Sequence, residues 1–395
     1  MFILSSENLL LRVGRDRMER YKGDCPYVSK RISRRNLMQY AGAASVASMA
    51  TPQLAKAATT AWPIKVMGEG IPKICAYAGA NPAANRALQQ VGVFHVIGGG
   101  GGGMPWTEEG IRANITRLKE QGMTVVNAMI GGMNNIIRGG PNRDREIENI
   151  IKSTQAAGKA GLPCIEYNFY AHRLTEGYEE ELGRAGSGLT RFNYARVKDL
   201  PPTEQEGKHS LEDLFKRAEY FLKAVIPEAE KANVRFALHP NDPPAPVSRG
   251  SEQLFASFAN WKRYLDLVKS PYNGITFDCG VTRELGEDPV AVCKYLGKRD
   301  VINHVHFRNV VVRQPYVDYT EVWLDEGQVN MFEIMKELVR QKYSRSVLPE
   351  HPRAIDIDRE RGIGGQYAPV GGGGFVGEIY NYGFAKAMLL AALSQ

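Results

Sequence analysis

The regular alternation of strand-like and helix-like segments from residue 72 onward constrains this chain more than any other feature. Short apolar runs rich in Val, Ile and aromatic residues predict eight strands, at residues 72–79, 93–98, 124–129, 164–169, 234–240, 274–280, 302–310 and 346–351. Amphipathic patterns predict helices between them, for example at residues 108–121, 145–160, 211–232 and 331–341. Eight strands in alternation with helices are typical of an α/β protein with a single (β/α)8 TIM barrel. A doubly wound open sheet is the alternative.

Residues 1–57 are predicted to be an export signal, so that the barrel occupies residues 58–395. The segment contains the paired arginines Arg34 and Arg35, a short and weakly apolar run, and an Ala-Lys-Ala sequence that ends at residue 57. These three features are typical of a twin-arginine signal peptide. We therefore expect the twin-arginine machinery to export the folded protein to the periplasm. A disordered basic tail is the alternative.

The positive charge of the chain is concentrated in this leader. Ten Lys or Arg residues and four acidic residues fall within residues 1–57, which accounts for nearly all of the formal net charge of +7. The predicted barrel is close to neutral, and this argues against nucleic acid and acidic membranes as partners. The apolar run of the leader is also too short to span a bilayer, so no stable membrane insertion is expected.

Four cysteines follow the leader, and their spacing is not that of a zinc site or a disulfide framework. We interpret Cys75, Cys164 and Cys293 as small buried apolar side chains. Cys279 stands beside Asp278 at the end of a predicted strand, where a metal ligand is expected.

Two kinds of connection are unusual for a barrel. Residues 171–209 form a long polar insertion after the fourth predicted strand, which we interpret as a lid or rim over the site. Six consecutive glycines at residues 98–103 follow the second predicted strand, and four more at residues 371–374 precede the last helix. No Gly-Lys-Ser/Thr follows the first run, so a phosphate-binding loop is not indicated. Both runs are interpreted as mobile active-site loops.

Polar side chains end four consecutive predicted strands. Side chains alternate across a strand, so the positions that share a face with large apolar residues pack against the helices, and the others face the barrel interior. In the sequence Arg-Phe-Ala-Leu-His at residues 235–239, this rule places Phe236 and Leu238 outward and His239 inward. The same rule turns four side chains inward on the next three strands: Asp278, His304, His306 and Glu350.

We predict that His239, Asp278, His306 and Glu350 form a metal site. The carboxyl ends of barrel strands meet at one mouth, where (β/α)8 proteins place their chemistry. Imidazole nitrogens and carboxylate oxygens bind divalent cations, and we expect Mn²⁺ or Fe²⁺ first, with Mg²⁺ and Co²⁺ as alternatives. Each residue alone fits a structural role, but four polar groups at one depth need partners because burying an unpaired charge is costly.

The sequence Ala-Leu-His-Pro-Asn-Asp-Pro-Pro at residues 237–244 resembles the His-Pro-Asp-Asp-Pro-Pro box that supplies a metal ligand in the mannonate dehydratase family. Later boxes of the family are similar, in the same order, to residues 273–277, 306–309, 327–331 and 349–351, and residues 167–169 and 221–227 match as well. The resemblance runs from about residue 70 to the C-terminus. It implies a xylose-isomerase-like TIM barrel. It also implies a divalent-metal-dependent lyase of glucuronate catabolism that converts D-mannonate to 2-keto-3-deoxy-D-gluconate and water.

The chain departs from the family at some of these boxes. The metal-binding Cys of the family falls on Asp278, or on Cys279 if the register slips by one residue, and its Asp ligand falls on Glu350. Parity favours Asp278, because Cys279 shares a face with the large apolar residues of its strand. The other departures are Leu348 in place of an Arg, Asn241 in place of an Asp, and a late active-site Tyr that is matched by Tyr380 or Tyr382.

The resemblance also implies how the residues divide the reaction. A metal holds the carboxylate and the 2-hydroxyl of the sugar acid, a base removes the C2 proton, and an acid protonates the leaving 3-hydroxyl. We predict catalytic roles for His351 and Tyr382 and substrate-binding roles for Asn168, Arg308, Asp242 and His304. The alternatives are that His351 orients Glu350, that Tyr382 packs near the last helix, and that Arg308 pairs with a carboxylate at the barrel mouth.

Two other functions are compatible with the same residues. A metal-dependent sugar isomerase or epimerase of the xylose-isomerase-like group would use the same ligands, but its product would keep the mass of its substrate. A periplasmic sugar-binding barrel would bind its ligand without turnover, which the pair of Glu350 and His351 disfavours. In each case a small sugar or sugar acid is the expected partner, and the chain is compatible with a homo-oligomer.

Overall fold

The computed structural model describes residues 66–362 and 367–395, and the predicted signal peptide at residues 1–57 lies outside these residues. The described residues form fourteen strands: β1 (Lys73–Tyr77), β2 (His95–Ile97), β3 (Thr124–Met129), β4 (Cys164–Tyr167), β5 (Tyr178–Leu182), β6 (Gly188–Asn193), β7 (Arg235–Leu238), β8 (Val247–Ser248), β9 (Ser251–Glu252), β10 (Asn273–Asp278), β11 (Ile302–His306), β12 (Asn309–Gln314), β13 (Asp318–Val322) and β14 (Ser346–Leu348). They also form eleven α-helices: α1 (Pro82–Gln90), α2 (Glu108–Glu120), α3 (Asn134–Arg138), α4 (Arg143–Ala160), α5 (Leu211–Ala232), α6 (Phe258–Leu267), α7 (Cys279–Glu284), α8 (Pro289–Lys298), α9 (Met331–Arg340), α10 (Asp356–Glu360) and α11 (Phe375–Leu393).

Eight of the strands close a parallel barrel in the order β1-β14-β11-β10-β7-β4-β3-β2. Because β1 pairs in parallel with both β2 and β14, this sheet has no free edge. Each barrel strand overlaps one of the eight predicted strands. The predicted (β/α)8 barrel is therefore confirmed, and the doubly wound open sheet is wrong.

The outer helices form because apolar residues recur at helical spacing between clear end signals, as α5 illustrates. Ser210 accepts a hydrogen bond from the Asp213 backbone N–H at the start of this helix, and Asn233 ends it in the left-handed conformation. Its buried face includes Phe221 and Leu222, and each such side chain contributes about 1.5–3 kcal/mol through burial. No helix of the described residues is both long enough and apolar enough to cross a membrane.

A four-stranded antiparallel sheet in the order β12-β13-β6-β5, which we name the cap sheet, is separate from the barrel. Two of its strands come from the insertion at residues 171–209 and two from residues 309–322, directly after β11. β6 pairs with β13, so the two excursions join in one layer. The predicted strand at residues 302–310 is therefore too long, since β11 ends at His306 and β12 begins at Asn309. Its apolar pattern continues across the break, so periodicity does not reveal where the chain leaves the barrel.

The glycine run at residues 371–374 packs closely against its neighbours. A Cβ atom at Gly371 would collide with the backbone of Leu189 in β6, and one at Gly373 would collide with the backbone of Arg353. Gly371 also has a φ of +89°, which L side chains rarely adopt. Close approach to the Leu189 and Arg353 backbones therefore requires glycine at these two positions, while the mobility of the run stays a prediction.

Candidate metal centre and active site

Four side chains predicted as metal ligands meet at the carboxyl ends of β7, β10, β11 and β14. His239 Nε2 lies 2.9 Å from His306 Nδ1, and Glu350 Oε1 lies 2.9 Å from the same nitrogen. Asp278 Oδ2 lies 3.8 Å from both His239 Nε2 and His306 Nδ1. One donor atom from each side chain falls within 4.8 Å of the others. We name these four residues the ligand cluster.

Asp278, and not Cys279, faces the ligand cluster. Asp278 ends β10 and caps α7, where its Oδ1 accepts a 2.8 Å hydrogen bond from the Val281 backbone N–H. Its Oδ2 lies toward the two histidines. Cys279 is buried in the apolar core, and burial raises the pKa of its thiol well above the ordinary value. This placement agrees with the strand parity, while the role of Asp278 as a ligand stays a prediction.

The contacts around the two histidines leave their inner nitrogens free for a cation. His239 Nδ1 donates to the Pro240 carbonyl oxygen at 2.7 Å, so Nε2 keeps its lone pair. His306 Nε2 lies 3.3 Å from Glu166 Oε1, so Nδ1 is the nitrogen of this ring that faces the ligand cluster. The two inner nitrogens lie 2.9 Å apart, close enough to share a proton or to bind one cation together. Two nitrogens and two carboxylates are a donor set that fits a divalent transition metal.

The charge around His306 also favours a cation in the ligand cluster. Burial lowers the pKa of His306, but Glu350 and Glu166 raise it well above its ordinary value. Burial alone would raise the pKa of Glu350, but the charge of His306 lowers it well below its usual range. Glu350 Oε1 is buried, and its 2.9 Å contact with His306 Nδ1 lacks the geometry of a hydrogen bond. A metal ion would satisfy this oxygen.

A deep polar layer lies one step further into the barrel, and the sequence analysis did not identify its centre, Glu166. This residue of β4 is buried and accepts hydrogen bonds from Thr276 Oγ1 at 2.8 Å and Asn127 Nδ2 at 3.1 Å. Burial would raise the pKa of Glu166, but the charges of His306 and His304 lower it to about 2. The sequence did indicate a role for this residue, because a Glu that faces the barrel interior from a buried apolar strand needs a cationic or hydrogen-bonding partner.

His304 belongs to this deep polar layer, and this position does not support its predicted substrate-binding role. It lies two residues before His306 on β11 and therefore points inward at a lower level. Its Nδ1 lies 2.7 Å from Ser346 Oγ, and its Nε2 lies 3.9 Å from Glu166 Oε2. The side chain is fully buried and does not line the cavity beside the ligand cluster. The alternation of side chains along the strand correctly predicted that His304 faces the barrel interior, but it did not predict that His304 lies below the cavity.

Arg308 is buried among carboxylates, so the structure supports the alternative in which it pairs at the barrel mouth. Its Nε lies 3.0 Å from Asp278 Oδ2, and its Nη1 lies 2.7 Å from Glu284 Oε1. Its Nη2 lies 3.5 Å from Asp242 Oδ1. Arg308 is 1% exposed and does not line the cavity, so a direct contact with substrate is not supported. The guanidinium instead reduces the repulsion between neighbouring carboxylates.

His351 stands at the mouth of the barrel beside the ligand cluster. Its Nδ1 lies 2.7 Å from Glu321 Oε2 in the cap sheet, and its Nε2 lies 3.5 Å from Glu350 Oε1. Its φ of +46° is rare for a residue other than glycine, and such strain concentrates at functional sites. Burial lowers the pKa of His351, but Glu321 and Glu350 raise it above the ordinary value. The ring is therefore oriented and suited to carry a proton.

A cavity of about 890 Å³ opens beside the ligand cluster, within the size range of small-molecule sites. Its wall includes these residues of the predicted site: His239, His306, Glu350, His351, Asn168, Asp242 and Tyr382. The Tyr382 hydroxyl donates to Glu378 Oε2 at 3.5 Å and makes no hydrogen bond to the ligand cluster. The other candidate for the late Tyr, Tyr380, packs against Trp323 with 4.9 Å between ring centroids and does not line the cavity.

Arg173 and Tyr367 line the same cavity, and sequence reasoning missed both. Arg173 comes from the insertion, and its Nη1 donates a 2.5 Å hydrogen bond to the Tyr367 hydroxyl. The Tyr367 ring centroid lies 6.1 Å from that of His351. Both residues lie in irregular segments, where no periodicity indicates which side chains face inward.

Comparison with known proteins agrees with this geometry. A family model described as D-mannonate dehydratase matches residues 205–376. A mannonate dehydratase of Streptococcus suis (strain 05ZYH33) is 31% identical over 286 residues, which cover 66% of this chain and 78% of the relative. One of Thermotoga maritima is 32% identical over 257 residues, which cover 56% of this chain and 70% of the relative. The chain belongs to the mannonate dehydratase family.

Solved structures agree with this membership. The crystal structure of mannonate dehydratase from Streptococcus suis serotype 2 matches with a TM-score of 0.71 at 25% identity, covering 81% of this chain and 94% of that chain. A D-psicose 3-epimerase from Clostridium cellulolyticum H10 matches with a TM-score of 0.50 at 12% identity, covering 80% of this chain and 99% of that chain, and this shows a shared fold alone. The resemblance seen in the sequence is confirmed, and this member of the mannonate dehydratase family is an enzyme of the lyase class with a mannonate dehydratase-like function.

Proposed function

We propose that this enzyme removes water from D-mannonate to give 2-keto-3-deoxy-D-gluconate. The observation that carries the proposal is the ligand cluster on the wall of a cavity that His351 also lines. The mannonate dehydratases to which the chain is similar support this substrate. Two imidazoles and two carboxylates favour Mn²⁺ or Fe²⁺ as the resident ion, with Mg²⁺ or Co²⁺ as alternatives.

When bound by the ligand cluster, the metal supplies a Lewis acid that makes the C2 proton of a bound sugar acid easier to remove. His239 and His306 would hold the ion through their inner nitrogens, with release of the His306 proton, and Asp278 and Glu350 would contribute the negative charge that retains it. Asn168 on the cavity wall offers an amide for hydrogen bonds to the sugar hydroxyls. Arg308 supports the site by pairing with Asp278.

His351 is the residue that we propose for proton transfer. Elimination of water requires removal of a proton from C2 and delivery of a proton to the leaving 3-hydroxyl. Glu321 fixes the imidazole from one side through Nδ1, while the ring lines the cavity. Glu321 and Glu350 favour the protonated form, which suits the acid that protonates the leaving group.

The mass of the product tests the proposal. Purified protein loaded with Mn²⁺ or Fe²⁺ is expected to convert D-mannonate to a product that is lighter by one water, as measured by mass spectrometry. Chelation should stop the reaction, and added metal should restore it. A product of unchanged mass would indicate an isomerase or epimerase instead, and binding without conversion would indicate a sugar-binding barrel. Either result would contradict the proposal.

We also propose that the enzyme acts in the periplasm after twin-arginine export, with the mature chain beginning near Ala58. The paired Arg34 and Arg35 support this proposal. The double substitution Arg34→Lys and Arg35→Lys is expected to retain the full-length precursor in the cytoplasm, as measured by fractionation. Normal export of that variant would remove the periplasmic assignment.

A further inference from the structure

The cavity wall is rich in carboxylates. Asp242, Glu321, Glu350 and Glu378 all line it. A sugar acid brings a further negative charge into this space, and like charges at short range in a partly desolvated site are costly. A metal ion in the ligand cluster offsets part of this charge, and a cation elsewhere on the wall would offset more.

Two arginines and no lysine line the cavity among the described residues. Arg353 is held by three hydrogen bonds, from Nε to the His351 carbonyl at 2.9 Å, from Nη1 to the Glu321 carbonyl at 3.2 Å and from Nη2 to Glu321 Oε2 at 3.0 Å. It is also only 2% exposed. Arg308 does not line the cavity, so the remaining guanidinium that can meet a ligand is that of Arg173.

Arg173 is also held through all three nitrogens but, unlike Arg353, it remains partly exposed. Its Nε donates to the Asp242 carbonyl at 2.7 Å, its Nη2 to Asp242 Oδ2 at 3.2 Å and its Nη1 to the Tyr367 hydroxyl at 2.5 Å. A guanidinium has five N–H groups, so one remains on each of Nη1 and Nη2. The described residues provide no acceptor for either, and 28% of the side chain is exposed.

Two N–H donors on neighbouring nitrogens match the two oxygens of a carboxylate. Asp242 is itself held by the Tyr178 hydroxyl, which donates to its Oδ1 at 2.9 Å. The guanidinium is therefore oriented before a ligand arrives, which reduces the entropy lost on binding. Its position in the insertion at residues 171–209 also gives that segment a chemical role at the cavity.

We infer that Arg173 binds the carboxylate of the substrate, and that this residue makes the cavity select sugar acids over neutral sugars and alditols. The inference rests on the proposed function and names the substrate class that the same site accepts.

The test compares D-mannonate with D-mannitol, in which a neutral hydroxymethyl group replaces the carboxylate. Arg173→Gln is expected to raise the KM for D-mannonate about 10–100-fold, because one or two charge-assisted hydrogen bonds are lost. The change in kcat should be smaller. The inhibition constant of D-mannitol should stay unchanged. Arg173→Lys keeps the charge but loses the paired donors, so its KM should rise about tenfold. Arg191→Gln is the matched control, because Arg191 lies in the same insertion and is 31% exposed. It pairs with Asp318 at a distance of 2.8 Å and does not line the cavity.

An unchanged KM for D-mannonate in folded Arg173→Gln would overturn the inference. A parallel rise of the KM for D-mannonate and of the inhibition constant for D-mannitol would also overturn it, because that pattern indicates a role in holding the cavity wall. If Arg173→Gln fails to fold, Arg173→Lys decides the question through the same comparison of the KM for D-mannonate with the inhibition constant for D-mannitol. If the wild type gives no 2-keto-3-deoxy acid, the proposed function fails separately, and the rise in Tm that D-mannonate causes in wild type and in Arg173→Lys still tests carboxylate binding.

Discussion

The barrel strands and the excursions from the barrel line one cavity but contribute different groups to it. From the barrel strand ends come His239, His306 and Glu350, with Asp278 beside them. From the insertion, the cap sheet and the loop before α11 come Arg173, Glu321 and Tyr367, which contact Asp242 and His351. In our proposal the barrel therefore holds the metal, while the excursions orient His351 and bind the substrate carboxylate through Arg173. Enzymes of this fold commonly keep the barrel and vary the loops.

Removing a barrel ligand is expected to have the largest effect. Asp278→Ala should abolish stoichiometric metal binding and with it activity, because the cluster loses a charged donor that faces both histidines. Cys279→Ser should keep both metal and activity, because Cys279 lies in the apolar core. Metal content by elemental analysis of the two purified variants checks this. The reverse result would mean that the strand register is off by one residue and that the thiol is the ligand.

A change at His351 tests the boundary between the two regions. His351→Asn should leave metal content near normal and lower turnover by about 10²–10⁴-fold, because the proton-transfer group is lost while the ligands remain. Asn tolerates the positive φ of this position better than other replacements, so the backbone should be preserved. Loss of metal together with activity would show that His351 only orients Glu350.

The deep polar layer offers a smaller perturbation within the barrel. Glu166→Gln should weaken metal affinity about 10–100-fold, because the carboxylate that orients His306 through Nε2 becomes neutral. Competition with a chelator of known affinity measures the change. Glu337→Gln is the control, since Glu337 is 4% exposed on α9 and pairs with Arg340 on the same helix. Equal affinities in both variants would exclude a positioning role for Glu166.

The same two regions differ in how far the sequence could predict them. Eight apolar runs fixed the number of barrel strands, and parity alone placed Asp278 and not Cys279 toward the histidines. Spacing on one strand was enough to place His304 below His306, but the meeting of Glu166 with both histidines depends on the register between strands, which the sequence does not show. Arg173 comes from irregular backbone whose position depends on tertiary packing, and no local pattern encodes which way it faces.

Two tyrosines of the cavity wall, Tyr367 and Tyr382, give the smallest expected effects, and they compare a residue of an excursion with a residue of a barrel helix. Tyr382 of α11 is buried, and its hydroxyl reaches only Glu378 at 3.5 Å, a long hydrogen bond that contributes little. Tyr382→Phe should therefore change kcat/KM by less than about threefold. Tyr367→Phe removes the oxygen that holds Arg173, so its KM for D-mannonate should rise about 3–10-fold while that of Tyr382→Phe does not. Steady-state kinetics with both variants checks the order. A hundredfold fall in kcat for a fully folded Tyr382→Phe would instead assign Tyr382 a catalytic role and place part of the proton chemistry on the barrel side.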